Sequence, residues 1–344
     1  MKRINELKNE EIFILQLDLE DKKKRDSQIT STPVKEQSSI LDSLFGFKNN
    51  SSSNNKELFN PKEFVLDSQR ETIKGALFDV IFANWKSKEF GTIGIVLKSP
   101  YYLQKTNPTL DEFKIAVQYD RLKNLNQCKG FEITYGIVEL NSRFHVVSES
   151  LSGGNLRNIL LNQNIELSFN QKLNIAFQIA NTLMYLHTQE KPLVFSVLKS
   201  NLILLNQKME PKITCTYFIK LSNISNVNSS LPWIYKSPEI LYPEENIKYS
   251  TEDEIFAFSI ILWEIYFRQP LKYLKNLPPK NFRPFCGNSN EEETKENLND
   301  DRIRRDKREI EYISIMKECW NENRNERPTA KNLVYRFGKL LKHN

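Results

Sequence analysis

The chain has 344 residues, 39% of them hydrophobic and 27% charged, with a formal net charge of +6. That balance fits a globular protein of one large domain or two ordinary ones. No apolar run reaches the roughly 18 residues that span a bilayer, and the mixed-charge start Met1-Lys2-Arg3-Ile4-Asn5-Glu6 carries no expected secretory leader.

In chain order, residues 1–64 differ in composition from the rest of the sequence. Phe13, Leu15, Leu17 and Leu19 alternate with polar neighbours, as in a short strand. The basic run Lys22-Lys23-Lys24-Arg25 comes next, and residues 49–55 are entirely Ser and Asn. Such sequence buries too little apolar surface to offset its ordering entropy, so most of 1–64 is expected to be disordered. The apolar island Ile40–Phe47 is either a docking peptide or an incidental cluster.

From about Thr72 the apolar pattern is dense. Strand-like runs come first, at Ala76–Phe82, Gly91–Leu97, Ile133–Leu140 and Phe144–Ser148, with a helix expected over Leu110–Leu125 between them. Helical patterns come after these. Leu173, Ile175, Ala176, Ile179, Ala180, Leu183 and Leu186 form one wide face, while the stretch from Ile255 to Ile265 is apolar nearly all round and predicts a buried helix. The acidic, Asn-rich piece at 287–301 reads as a loop insertion. Strands followed by helices predict an α+β fold in two lobes. Cys128, Cys215, Cys286 and Cys319 make no CxxC pair or Cys/His cluster, which argues against a zinc site or disulfide framework. The basic runs are short and mixed with acids, so a solvated surface is expected rather than a nucleic-acid patch.

Several motifs occur in a fixed order. Val147-Ser148-Glu149-Ser150-Leu151 leads into Gly153-Gly154-Asn155-Leu156, and Tyr185-Leu186-His187 closes a helical pattern. Phe195-Ser196-Val197-Leu198-Lys199-Ser200-Asn201-Leu202 precedes an apolar run, followed by Ser237-Pro238-Glu239, Cys319-Trp320 and Arg327-Pro328-Thr329. Together these resemble a protein kinase domain of the tyrosine-kinase-like group, the Raf and mixed-lineage type. The kinase-like domain is placed at 65–341, with an N-lobe at about 68–148 and a C-lobe at about 153–341. The resemblance implies a buried structural ion pair between Glu239 and Arg327.

The resemblance also assigns the phosphoryl-transfer positions. Val197 stands where the family keeps its catalytic aspartate, and valine can neither accept a proton nor orient a hydroxyl. Of the phosphate-covering glycines only Gly75 remains, with Val80 after it. Lys98 matches the strand lysine, and Val96 replaces the alanine that leaves room for adenine. The helix position that should pair with Lys98 falls on Ile115 or Ala116, neither acidic, with Glu112 and Asp120 as candidates for a displaced pair. Asn223 takes the place of the metal-binding aspartate and Leu202 that of the second metal ligand, with Asn201 one place early. Glu254 stands where a buried helix aspartate ties down the catalytic loop.

These replacements lead to the expectation that the chain is not an enzyme but an inactive kinase-like protein, a pseudokinase that scaffolds or regulates intracellular signalling. The alternative is a divergent serine/threonine or dual-specificity kinase with residual ATP binding and weak activity. No cofactor is expected: ATP would bind weakly and magnesium hardly at all. The expected partners are other proteins, an active kinase among the candidates, with no nucleic acid and no membrane span. The expected location is the cytoplasm, with the nucleus as the alternative.

Overall fold

The computed structural model describes residues 58–74, 78–100, 108–117, 119–195, 198–214, 219–221, 233–242, 248–268 and 306–342. The Ser/Asn-rich stretch 49–55, the apolar island 40–47 and the 287–301 piece lie outside them. The chain forms two compact units. One holds the described residues up to Gln127 together with Glu132–Ser150; the other holds Cys128–Phe131 and the described residues from Leu151 onward.

The first unit is built on a seven-stranded sheet of β1 (Leu58–Phe59), β2 (Phe64–Leu66), β3 (Ile73–Lys74), β4 (Phe78–Ser87), β5 (Gly91–Pro100), β6 (Thr134–Leu140) and β7 (Arg143–Glu149). Its order is β1-β6-β7-β5-β4-β2, with β3 also on β4. β4 and β5 pair along their whole length, from Phe78↔Pro100 to Ser87↔Gly91. The turn between them is stabilised by Ser87 Oγ, which accepts from the amides of Glu89 and Phe90. The β6–β7 hairpin turns on Asn141 and Ser142, at φ 50° and 60°, the left-handed geometry that two-residue hairpins favour.

β1 pairs in parallel with β6, Leu58 opposite Ile137 and Phe59 opposite Val138. The Phe59 ring lies 4.7 Å from Trp85 and the Phe64 ring stacks on Trp85 at 5.9 Å, while Trp85 Nε1 donates to Glu63 Oε2 at 3.0 Å. Leu58 and Phe59 are thus held in the sheet, because a distant indole supplies the burial that the local composition lacks.

Each face of the sheet carries an apolar layer. Phe64, Ala83, Trp85, Ile95, Leu97, Val138 and Val147 form one. Val146 and Ile137 pack with Phe113, Val117, Tyr119 and Leu122 in the other. Those last four come from two helices, α1 (Leu110–Ala116) and α2 (Tyr119–Leu125), and the junction between them, where one continuous helix was expected. Val117 and Tyr119 are both buried, yet two residues of α-helix rotate a side chain by about 200°. Only a break resets the phase so that both reach the core.

The second unit is mainly helical: α3 (Leu156–Leu161), α4 (Phe169–His187), α5 (Pro238–Leu241), α6 (Thr251–Phe267), α7 (Lys307–Cys319) and α8 (Ala330–Lys342). Two short antiparallel pairs join them, β9 (Ile203–Leu205) with β10 (Pro211–Ile213), and β8 (Leu193–Phe195) with β11 (Ile219–Leu221). α4 and α6 each start on a capping box, Ser168 with Gln171 and Ser250 with Asp253. α4 buries the face its periodicity predicts, and α6 is buried from Asp253 to Ile265.

Candidate functional site

The candidate residues of the first unit surround Lys98. Along β5, Lys98 lies opposite Val80 on β4 and Val146 on β7, and Val96 lies opposite Phe82 and Ser148. Directly paired residues share a face, so Val80, Val96 and Lys98 belong to one surface of the sheet. Val80 is half-buried, Val96 buried. Gly75 lies outside the described residues.

Lys98 is 7% exposed, and its Nζ donates to Glu132 Oε2 at 2.5 Å; Glu132 is itself 7% exposed. Glu132 follows α2 and precedes β6, in a segment held by four hydrogen bonds. Ile133 N donates to Glu149 Oε1 (2.8 Å) and Glu149 N to Ile133 O (3.0 Å). Asn126 bonds Thr134 through both its side-chain atoms, at 2.7 and 2.9 Å. The displaced pair expected from Glu112 or Asp120 is thus corrected to Glu132. Glu112 turns its carboxylate to the start of α1, accepting from Thr109 N (2.8 Å) and Oγ1 (3.1 Å), and Asp120 is exposed. A signal for Glu132 did exist: it is a single acid between Phe131 and Ile133 at the head of a strand, and a buried carboxylate requires a cation.

In the second unit, Glu254 organises the approach to the loop that begins at Phe195. It sits on α6 with no exposure. Oε1 accepts from Phe195 N at 2.6 Å, and Oε2 lies 2.7 Å from His187 Nε2. One carboxylate therefore ties the end of α4 to the first residue of the loop. Leu198 N returns to Phe195 O (3.1 Å), and Ser200–Leu202 forms a 3-10 turn. Ser200 Oγ lies 3.3 Å from the Tyr235 hydroxyl, which donates to Glu264 at 3.0 Å. Arg157 Nη1 reaches the same carboxylate at 3.2 Å. Burial pushes the Glu264 carboxyl up, with Arg157 opposing it. Ser196 and Val197 lie outside the described residues.

The metal positions are poor in donors. Leu202 offers only backbone, and its carbonyl accepts from Thr214 N (3.0 Å) and Oγ1 (3.2 Å). Asn201 Oδ1 is buried and accepts no hydrogen bond. Asn223 lies outside the described residues. Among the described residues no group of three or more His, Cys, Asp and Glu could hold a metal ion. Magnesium prefers carboxylates and phosphate oxygens; at Leu202 and its neighbour Asn201 the one side-chain oxygen is the amide oxygen of Asn201.

Arg327 makes two hydrogen bonds to Glu239, at 2.8 and 3.0 Å, and donates to Asn321 O (2.9 Å) and Glu252 O (3.3 Å). Its side chain is fully buried, whereas that of Glu239 is 18% exposed. Asp253 stands 3.9 Å away and is also engaged by Arg324 and by Ser237 Oγ (2.6 Å). Burial pushes the Asp253 carboxyl up, against the pull of these donors. The cluster fastens the Ser237-Pro238-Glu239 segment to α6.

Known proteins are similar to this chain in sequence. The family model described as protein tyrosine and serine/threonine kinase matches residues 66–337. A Dictyostelium discoideum protein named a probable serine/threonine-protein kinase is 30% identical over 207 residues, covering 60% of this chain and 46% of the relative. Stress-activated protein kinase alpha of the same organism is 24% identical, covering 59% of this chain and 32% of the relative. A Drosophila melanogaster mitogen-activated protein kinase kinase kinase 7-like protein is 31% identical over 137 residues, covering 38% of this chain and 34% of the relative. The chain spans less than half the length of each of these relatives. No helix of the described residues is long and apolar enough to cross a membrane.

These matches correct the expectation that the chain is not an enzyme. It rested on single side chains, Val197 above all, and a lost general base lowers the rate of phosphoryl transfer without removing the positioning that drives it. With the match covering both units, the chain belongs to the protein tyrosine and serine/threonine kinase family.

Proposed function

We propose that this protein is a divergent kinase of the tyrosine-kinase-like type, of serine/threonine or dual specificity, that binds ATP weakly and transfers its phosphoryl group slowly. The observation that carries this reading is Lys98: an ammonium withdrawn from water and held 2.5 Å from a carboxylate. Desolvating that charge is costly, and a cation prepared in this way suits phosphate oxygens. The names of the relatives support a serine/threonine kinase.

Phosphoryl transfer passes through a loose transition state, so positioning and charge stabilisation dominate. Loss of a general base costs about 10²–10⁴ in rate. Val197 therefore predicts a slow enzyme, and Val96 a narrowed place for the nucleotide base. No step is assigned to magnesium, since the donor set does not suit it. Proteins bearing serine or threonine hydroxyls are the proposed substrates, in a signalling role.

The test is phosphate incorporation from labelled ATP into a generic acceptor protein by the full chain and by Lys98→Ala. Slow incorporation that falls at least tenfold in the variant is expected. No incorporation, or equal incorporation by both proteins, overturns the reading.

A further inference from the structure

We infer that Glu132 is the positioning residue for Lys98, and that it holds the lysine from the sheet and not from a helix. The inference rests on the nucleotide-binding role proposed for Lys98. In this chain α1 has Ile115 and Ala116 where a partner acid was sought, and Oε2 of Glu112 accepts from Thr109 at the start of the same helix. Glu132 is separated from Lys98 by 34 positions yet meets it at 2.5 Å, with both residues buried.

The support beneath Glu132 sets its character. Ile133 is bonded in both directions to Glu149 at the end of β7, and Thr134 in both directions to Asn126. β7 in turn pairs with β5, the strand that carries Lys98. The carboxylate and the ammonium are therefore fixed to the same hydrogen-bonded lattice. An ammonium has three donors, and a carboxylate on one of them fixes the direction of the others. A pair built this way holds the lysine through β5, β7 and the segment leading into β6, and not through an acid of α1.

The experiment uses the full chain with two readouts. One is the ATP-dependent thermal shift, which reports Kd through RT ln(1 + [L]/Kd). The other is the rate at which an amine-acylating reagent labels Lys98, read by mass spectrometry without nucleotide. Wild type is compared with Glu132→Gln, Glu132→Asp, Lys98→Ala and Asp120→Asn. Glu132→Gln is expected to weaken ATP at least tenfold, towards Lys98→Ala. It should also label Lys98 about tenfold faster, because the amine loses the carboxylate that engages it. Asp120→Asn should match wild type in both.

Wild-type ATP binding by Glu132→Gln, alongside loss of binding in Lys98→Ala, overturns the inference and leaves the kinase reading standing. If wild type itself shows no shift at millimolar ATP, the nucleotide reading fails. The labelling arm then decides Glu132 alone: an unchanged rate overturns its hold on Lys98, and a tenfold rise upholds it. If Glu132→Gln does not fold, Glu132→Asp decides, because withdrawing the carboxylate by one methylene should weaken ATP several-fold. Behaviour identical to wild type overturns the inference.

Discussion

Replacing Arg327 by methionine should cost the second unit about 3–4 kcal/mol. Breaking a buried ion pair by removing one partner costs about 3–5 kcal/mol, because the other charge is left desolvated. Here two features place the value in the lower half. Glu239 is 18% exposed and can rehydrate, and Asp253 keeps Arg324. Against that, the carbonyls of Asn321 and Glu252 lose their donor. Glu239→Gln should cost less, about 1–2 kcal/mol. The amide oxygen still accepts, and Arg327 keeps both carbonyls, with Asp253 3.9 Å away. At about 2–4 °C per kcal/mol for a domain of this size, thermal melting should fall by about 6–16 °C in Arg327→Met and about 2–8 °C in Glu239→Gln. If Glu239→Gln melts as low as Arg327→Met or lower, the network is not organised around the arginine and the reasoning fails.

Gly130→Ala should lower the melting temperature by several degrees, since its Cβ would come 1.7 Å from Thr182 Oγ1 and 2.8 Å from Thr182 Cβ; pairing it with Thr182→Ala should restore part of the loss in the same melt. His145 should make stability depend on pH. Burial holds its pKa below the ordinary 6.5; the hydrogen bond to the Arg143 carbonyl and the charge of Asp79 oppose this, while the Arg143 guanidinium adds to the lowering. The unfolded chain then takes up the proton first, so stability is full above about pH 6.5 and is lost as pH falls from there towards the folded pKa. In denaturant titrations at about pH 7.5 and 5, His145→Gln should lose less stability on acidification than wild type; an equal loss refutes the assignment.

The sheet and the long helices were readable because their signals are local. Expected strands at Gly91–Leu97 and Phe144–Ser148 appear within β5 (Gly91–Pro100) and β7 (Arg143–Glu149), since alternation is set by the pleat itself. The apolar face from Leu173 to Leu186 is wholly buried on α4, and a 3.6-residue period needs no knowledge of what it packs against. Leu58 and Phe59 were not readable in the same way. Their pairing with Ile137 and Val138 and the contact with Trp85 come from far along the chain.

The sequence alone determined which residues occupy the kinase positions: Val197, Leu202 and Asn223 where side chains for proton and cation are sought, Lys98 and Glu254 where charge is kept. Identity at a position is a matter of order, and order survives in one dimension. Which acid meets Lys98, which oxygen of Glu254 takes Phe195 N, and how Arg327 divides its donors were decided only by the tertiary structure. A buried charge selects its partner by distance in a water-poor interior, and that distance does not exist until the sheet and helices have closed around it.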